Sequence, residues 1–229
     1  MPAAGSGLRA GGEGRKLYEP LGDRPVLTHT LGLLQDSDLI DEILLVVRPG
    51  DEDRCRDEVL RPAGLTKVTG LIPGGANRQE SVFLGLRHMG GATDLVVIHD
   101  GARPLASPGL LRRVIEAGLR DGAAVPGIAV NDTVKRVRAG TVVETVDRDG
   151  LMRIQTPQVF WFDLIWMAHS RARTAGVVAS DDSGLVERLR HRVTVVEGED
   201  ENLKLTAASD LQLARAIMEA RTRSGGERA

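Results

Sequence analysis

The chain has 229 residues, enough for one large domain, and its formal net charge of −2 with 27% charged residues argues against a dedicated nucleic-acid binder, which carries a basic excess. One cysteine, Cys55, excludes an intramolecular disulfide framework and cysteine-rich zinc sites; no secretory leader is visible, and no apolar run approaches the roughly 20 residues that span a bilayer. With 3% aromatic residues and 27 glycines, the composition suits a cytoplasmic, loop-rich enzyme for small ligands, partnered by neither nucleic acid nor membrane.

The first motif is Ala3-Ala4-Gly5-Ser6-Gly7-Leu8-Arg9, with Lys16 following. Its glycines can present successive backbone N–H groups to anionic oxygens. Arg9 adds a planar donor fork and Lys16 a mobile point charge. The segment lacks the Gly-Lys-Ser/Thr ending of a P-loop and the third glycine of a dinucleotide fingerprint. Residues 41–47 read as a buried strand closed by Pro49-Gly50, a charged helix runs on to Leu60, and residues 68–72 form the next strand. Gly74-Gly75-Ala76-Asn77-Arg78-Gln79-Glu80-Ser81 then leads into a helix striped by Val82, Leu86 and Met89. The glycines allow close approach to a flat base, and Arg78 and Ser81 can reach ribose, base or phosphate; alone, the segment is equally an ordinary helix N-terminus.

The apolar run of residues 94–97 closes in Ile98-His99-Asp100-Gly101-Ala102-Arg103-Pro104. Open parallel sheets bind ligands beyond the carboxyl ends of their strands, and Mg²⁺ takes one or two carboxylates plus substrate phosphates. Asp100 is therefore the candidate metal ligand, with a turn cap paired to Arg103 as the structural alternative. His99 is expected to be packed or hydrogen-bonded, since no second histidine stands at metal spacing. Ser107-Pro108 opens a helix carrying Leu110, Leu111, Val114, Ile115 and Leu119, and residues 123–126 are strand-like.

Residues 132–157 change pattern: 133–137 and 141–146 alternate around Ala139-Gly140, a β-hairpin arm of the kind that packs on a second subunit. Residues 162–175 return to helix, 193–196 to strand and 207–220 to helix, with 222–229 as a frayed tail. Lys204 stands between Leu203 and Leu205, consistent with an inward, functional lysine. Alternating strands and helices without a linker predict a single α/β domain, 1–229, with a mainly parallel sheet.

The ordered series GSGLR, Lys16, GGANRQES, HDGARP, NDTVKR, VDRDGL, QTPQVF, SDDSG and ENLKLT resembles the 2-C-methyl-D-erythritol 4-phosphate cytidylyltransferases, from Ala3 to about Leu211. The resemblance implies a Rossmann-like, three-layer nucleotidyltransferase fold of glycosyltransferase-A type, homodimeric through the protruding β-arm. It implies that Ala3, Ala4, Gly5, Ser6 and Gly7 line the triphosphate of CTP, that Arg9 and Lys16 neutralise it, and that Gly75, Arg78 and Ser81 belong to the cytidine pocket. Asp100 matches the Mg²⁺ carboxylate and Lys204 a cation at the α-phosphate. Thr133, Arg148, Thr156 and Ser180 match positions around the polyol phosphate, with Arg148 coming from the partner's arm.

The implied reaction is in-line attack of a substrate phosphate oxygen on the α-phosphorus of CTP, with pyrophosphate leaving. The alternatives are the same transfer to ribitol 5-phosphate, a nucleotide-binding relative without the reaction, and a pyrophosphorylase using another base. Two departures stand out. Relatives carry an apolar strand before the glycine loop, whereas this chain begins Met1-Pro2-Ala3, so that strand is expected to be absent, with a true start upstream. Ala76 also stands where relatives often place an acid.

Overall fold

A computed structural model describes residues 1–5, 16–89 and 93–226, with side chains to residue 223. Strand β1 (Pro2–Ala3) comes first, then the small hairpin β2 (Pro20–Leu21) and β3 (Arg24–Pro25), helix α1 (Val26–Gln35) and strand β4 (Ile43–Val47). The charged helix anticipated up to Leu60 is α2 (Glu52–Cys55), a π-helical turn (Arg56–Leu60) and α3 (Arg61–Ala63). After these come β5 (Val68–Pro73), α4 (Arg78–His88), β6 (Leu95–Ile98), α5 (Pro108–Asp121) and β7 (Ala123–Ala129). The arm is β8 (Val134–Arg138) and β9 (Thr141–Val146). The chain finishes with β10 (Met152–Ile154), β11 (Gln158–Trp161), α6 (Phe162–Thr174), α7 (Ser183–Glu187), β12 (Thr194–Glu197) and α8 (Ala208–Gly226). Residues 222–226 are thus helical rather than frayed.

The strands form two main sheets, ordered β1-β4-β5 and β10-β7-β11-β6, with β12 paired to β7. The first is parallel throughout, and β12 is parallel to β7. The second is mixed, because β11 runs antiparallel to both β6 and β7, and β10 antiparallel to β7. That corrects the mainly parallel expectation for β10 and β11 only, since β6, β7 and β12 share one direction. The arm returns the chain as β10 and β11 with no crossover helix between them, and a direct return pairs antiparallel.

The expected absence of a first strand is also corrected. Pro2 and Ala3 pair with Val46 and Val47 of β4, and the Met1 amine donates to the Leu44 carbonyl at 2.5 Å. Gly101 N–H donates to the Pro2 carbonyl at 3.0 Å. A two-residue strand thus lies between β4 and the loop after β6, joining the half-sheets at their carboxyl ends. Burial lowers the Met1 amine to about pKa 5.

Strand alternation sorts side chains onto the two faces. Ala124 of β7 and Val159 of β11 pack in a core with Leu27 and Leu31 of α1 and with Leu110, Leu111, Val114 and Ile115 of α5. Their neighbours Ala123, Val125 and Phe160 join Val82 and Leu86 of α4, Ile165 of α6 and Leu185 of α7. The result is the three-layer α/β architecture, each large buried side chain contributing on the order of 1.5–3 kcal/mol. Helix α5 shows how the local sequence sets an element. Ser107 caps it by accepting from Leu110 N–H, Pro108 starts it, and Gly122 at φ 82° ends it left-handed. The arm turn, Ala139 at φ 46° and Gly140 at φ 78°, has both central residues left-handed, as a two-residue hairpin requires.

Candidate active site

Three chain segments converge on Asp100. Leaving β6, the chain places this carboxylate just past the strand's carboxyl end, 7% exposed. Arg78, the first residue of α4, donates from Nε to Asp100 Oδ1 at 2.9 Å. Lys204, in the loop before α8, donates from Nζ to Oδ2 at 2.6 Å. Burial disfavours the charged carboxylate, but Arg78 and Lys204 outweigh it and hold Asp100 well below the usual carboxylate range. The alternative is met only in the backbone, where Arg103 N–H donates to the Asp100 carbonyl at 3.0 Å and closes a turn; no side-chain ion pair joins the two among the described residues. Arg103 instead donates from Nη1 to the Asn202 carbonyl at 2.5 Å, and its Nε is buried without a partner among the described residues.

The backbone beneath Asp100 is fixed by a short relay. Asp100 N–H donates to Thr156 Oγ1 at 3.0 Å, and the same oxygen is 3.0 Å from His99 Nδ1. The Arg103 carbonyl, 3.2 Å from Nε2, can only accept, so a neutral His99 carries its proton on Nε2 and its Nδ1 accepts from the Thr156 hydroxyl. Burial lowers His99 to about pKa 4, in keeping with a neutral ring. His99 is thus hydrogen-bonded, as anticipated, and the Thr156 hydroxyl is engaged beneath the site.

The glycine-rich turn before α4 is shaped by close approach. A Cβ on Gly74 would meet Ala4 Cβ at 2.4 Å, so glycine lets the exit of β1 lie against this turn. Asn77 caps α4 by accepting from Glu80 N–H, and Glu80 reaches back to Ala76 N–H. Ser81 Oγ accepts from Gly75 N–H at 3.1 Å and donates to the Asn77 carbonyl at 2.9 Å. Ala3, Ala4, Gly75, Arg78 and Ser81 are therefore gathered beside Asp100 and Gly101.

Lys16 opens the 3-10 turn Lys16–Tyr18. Its Nζ is buried without a hydrogen-bond partner among the described residues, a charge that a phosphate would complete. Ser6, Gly7 and Arg9 lie outside the described residues. Thr133 and Arg148 sit on the exposed arm, where Arg148 donates to the Asn131 carbonyl rather than to the Asp100 cluster. Ser180 is exposed in the loop before α7.

Sequence reasoning missed the groups that hold these loops. Gln155 is buried and donates from Nε2 to the Glu199 carbonyl, while its Oε1 accepts from Glu199 N–H and Asn202 Nδ2. It thereby ties down the loop leading to Lys204. Gln158 donates to Asp181 Oδ2 at 2.7 Å and accepts from Ser183 N–H, anchoring the SDDSG loop. Gln79 bonds the Val177 carbonyl and Ala179 N–H. Asp182 and His169 were missed too. Asp182 Oδ2 lies 2.7 Å from Arg78 Nη1, and Asp182 Oδ1 is 3.0 Å from His169 Nε2. The glutamines framing Thr156-Pro157 in QTPQ were the available signal.

No group of three or more His, Cys, Asp or Glu poised for a metal occurs among the described residues. The single carboxylate Asp100 at the carboxyl end of β6 still fits Mg²⁺, which completes its shell with substrate phosphates rather than an all-protein cage, once the paired Arg78 and Lys204 give way.

Two solved structures share this architecture. The 2-C-methyl-D-erythritol 4-phosphate cytidylyltransferase from Thermus thermophilus superposes with a TM-score of 0.79 at 37% identity, covering 95% of this chain and 96% of that one. The 4-diphosphocytidyl-2C-methyl-D-erythritol synthase from Anaerococcus prevotii gives 0.82 at 35% identity, covering 95% and 93%. Fold and site together define a Rossmann-like nucleotidyltransferase. The family model described as IspD, 2-C-methyl-D-erythritol 4-phosphate cytidylyltransferase, matches residues 1–220. A relative of that name from Desulforamulus reducens is 45% identical over 96% of this chain and 95% of its own. The chain belongs to the 2-C-methyl-D-erythritol 4-phosphate cytidylyltransferase family.

Proposed function

We propose that this protein transfers CMP from CTP to 2-C-methyl-D-erythritol 4-phosphate, releasing pyrophosphate and forming 4-diphosphocytidyl-2-C-methyl-D-erythritol. The observation that carries the reading is the Asp100 carboxylate held between Arg78 and Lys204 at the end of β6, with the Lys16 ammonium buried and without a hydrogen-bond partner among the described residues. The acceptor phosphate is already anionic near neutral pH, so no general base is needed. The obstacle is repulsion between a phosphate and a triphosphate, and fixed cations aimed at the developing charge relieve it.

In this reading Arg9 and Lys16 bind the triphosphate, and Lys204 leaves Asp100 to meet the α-phosphate. Gly75, Arg78 and Ser81 frame the cytidine, while Ala3 to Gly7 bring backbone N–H groups to the phosphates. Asp100 would hold Mg²⁺, which when bound supplies charge neutralisation to the phosphates. Thr133 and Ser180 address the acceptor, joined by Arg148 from a second copy's arm, while Thr156, its hydroxyl taken up by His99 and the Asp100 amide, supports the site from beneath. Val137, Val142 and Val143 of the arm are exposed, an apolar face that a homodimer would cover. A cytoplasmic setting supplies the CTP.

The test is pyrophosphate release from CTP and Mg²⁺, with methylerythritol phosphate and ribitol 5-phosphate in parallel and UTP replacing CTP in a third arm. Release with CTP and methylerythritol phosphate alone is expected. Release only with ribitol 5-phosphate, or equally well from UTP, overturns the assignment.

A further inference from the structure

The Arg78 guanidinium is divided between two acids. Its Nε bonds Asp100 and its Nη1 lies 2.7 Å from Asp182. The Asp182 side chain is 1% exposed, as is that of His169, whose Nε2 is 3.0 Å from the other Asp182 oxygen. Such burial keeps Asp182 from meeting a ligand directly, and its carboxylate partners among the described residues are Arg78 and His169.

We propose that Asp182, fixed by His169, is a positioning residue for the transfer: it retains the Arg78 guanidinium when Asp100 exchanges its ion pairs for a divalent cation. This rests on the reading of Asp100 as the cation's carboxylate. The Asp100 oxygens now face two cationic side chains, and both must yield if a metal ion is to bind there. Lys204, 41% exposed, can move to water or phosphate. Arg78 is 26% exposed, and its Nη2 is buried without a hydrogen-bond partner among the described residues, as is Asp182 Oδ2, which meets Nη1 as an ion pair. A guanidinium left there without a counter-anion is strongly unfavourable. Asp182 stays on Nη1 and removes that barrier, and the His169 hydrogen bond keeps its carboxylate aimed. Burial works against the Arg78 charge, but Asp182 and Asp100 outweigh it and raise its pKa.

The experiment is titration calorimetry of CTP binding to the full chain, once in EDTA and once in excess Mg²⁺. The tightening by Mg²⁺ measures the coupling between metal and nucleotide. Asp182→Asn is expected to reduce that tightening about tenfold, the scale of losses on removing groups that orient metal ligands. Its CTP affinity in EDTA should stay near wild type. His169→Gln should shift the coupling in the same direction by less, and it decides the matter if Asp182→Asn does not fold. A purely structural role would weaken binding equally in both buffers, which overturns the proposal, as does unchanged coupling in a folded variant. Asp100→Asn separates the two ideas. If that variant keeps the Mg²⁺ effect, the metal reading itself fails. If it abolishes the effect while the Asp182 and His169 variants retain it, only the present inference fails.

Discussion

Lys204 Nζ and Asp100 Oδ2 meet at 2.6 Å across a separation of 104 positions. The pair places a partly exposed cation on the carboxylate that closes β6, so each neutralises the other. The lysine side chain is 41% exposed, so its departure needs little rearrangement.

Removing these cations should therefore affect rate far more than folding. Lys204→Ala and Lys16→Ala are expected to lower kcat by roughly 10²–10³, by analogy with the loss of one preorganised donor to a developing oxyanion. Arg9→Ala carries the same expectation. Stopped assays at saturating CTP, beside thermal melts, check this. A variant with wild-type turnover under those conditions would remove its residue from the proposed machinery.

His99 gives the fold an acid sensitivity. Its folded pKa, pushed down by burial to about 4, lies below the ordinary 6.5. The unfolded chain therefore binds a proton first as pH falls. The stabilisation is present above pH 6.5 and is lost on descending through about 4, with a total on the order of 3 kcal/mol from the 1.36 kcal/mol per pKa unit. Asp100, held below the usual range, adds little until pH falls toward 4, whereas the Met1 amine contributes a slope of its own. The readout is thus a difference. Urea unfolding between pH 7 and 4 should show a shallower pH slope for His99→Gln than for the wild type, and equal slopes would contradict the neutral buried ring.

Gln155→Ala should couple stability to catalysis. The amide makes four hydrogen bonds to Glu199 and Asn202, and buried polar groups left unpaired cost about 1–3 kcal/mol each. We expect a loss of about 2–4 kcal/mol together with a fall in kcat, because the loop that frays delivers Lys204. Denaturation and steady-state kinetics on one preparation test both halves. Lost stability with intact kcat would break the link.

A close contact between helix and sheet supplies a mutation remote from the chemistry. A Cβ on Gly118 of α5 would lie 2.3 Å from Val159 Cγ1 and 2.8 Å from Val159 Cβ of β11. Gly118→Ala gains helix propensity of about 1 kcal/mol, but overpacking at about 1–3 kcal/mol or more is expected to win. Combining it with Val159→Ala should recover part of the loss. Strict additivity in that double-mutant cycle would show that the contact is not the cause.

Much of this was legible in the chain because the signals were local. The apolar stripe and both ends of α5, the turn at Ala139-Gly140, and the acid following residues 94–98 each announce themselves within a few residues. Other features depend on partners distant in sequence. Nothing in Gln158 to Trp161 tells a strand which way its neighbours run, so the antiparallel β11 was invisible. Helix α1, by contrast, was legible: Leu27, Leu31 and Leu34 stand at the same spacing as Val82, Leu86 and Met89, with Thr28 and Thr30 buried beside them. Pro2–Ala3 is too short for any periodicity and exists only through Val46 and Val47. Asp182 looked no different from Asp181 until the fold set it against Arg78, and His169 sat unremarked in a helix.

The final backbone tie of the site, Leu205 N–H to the Ala102 carbonyl at 2.9 Å, has a consequence for birth order. During synthesis Arg78 and Asp100 leave the ribosome close together, and their ion pair can form while the second half of the chain is still missing. Lys204 emerges about a hundred residues later. Any nascent chain halted before it lacks the cation proposed for the α-phosphate. Under the proposed role of Lys204, transfer then waits for synthesis to pass that residue, so shorter chains would stay silent without any surveillance.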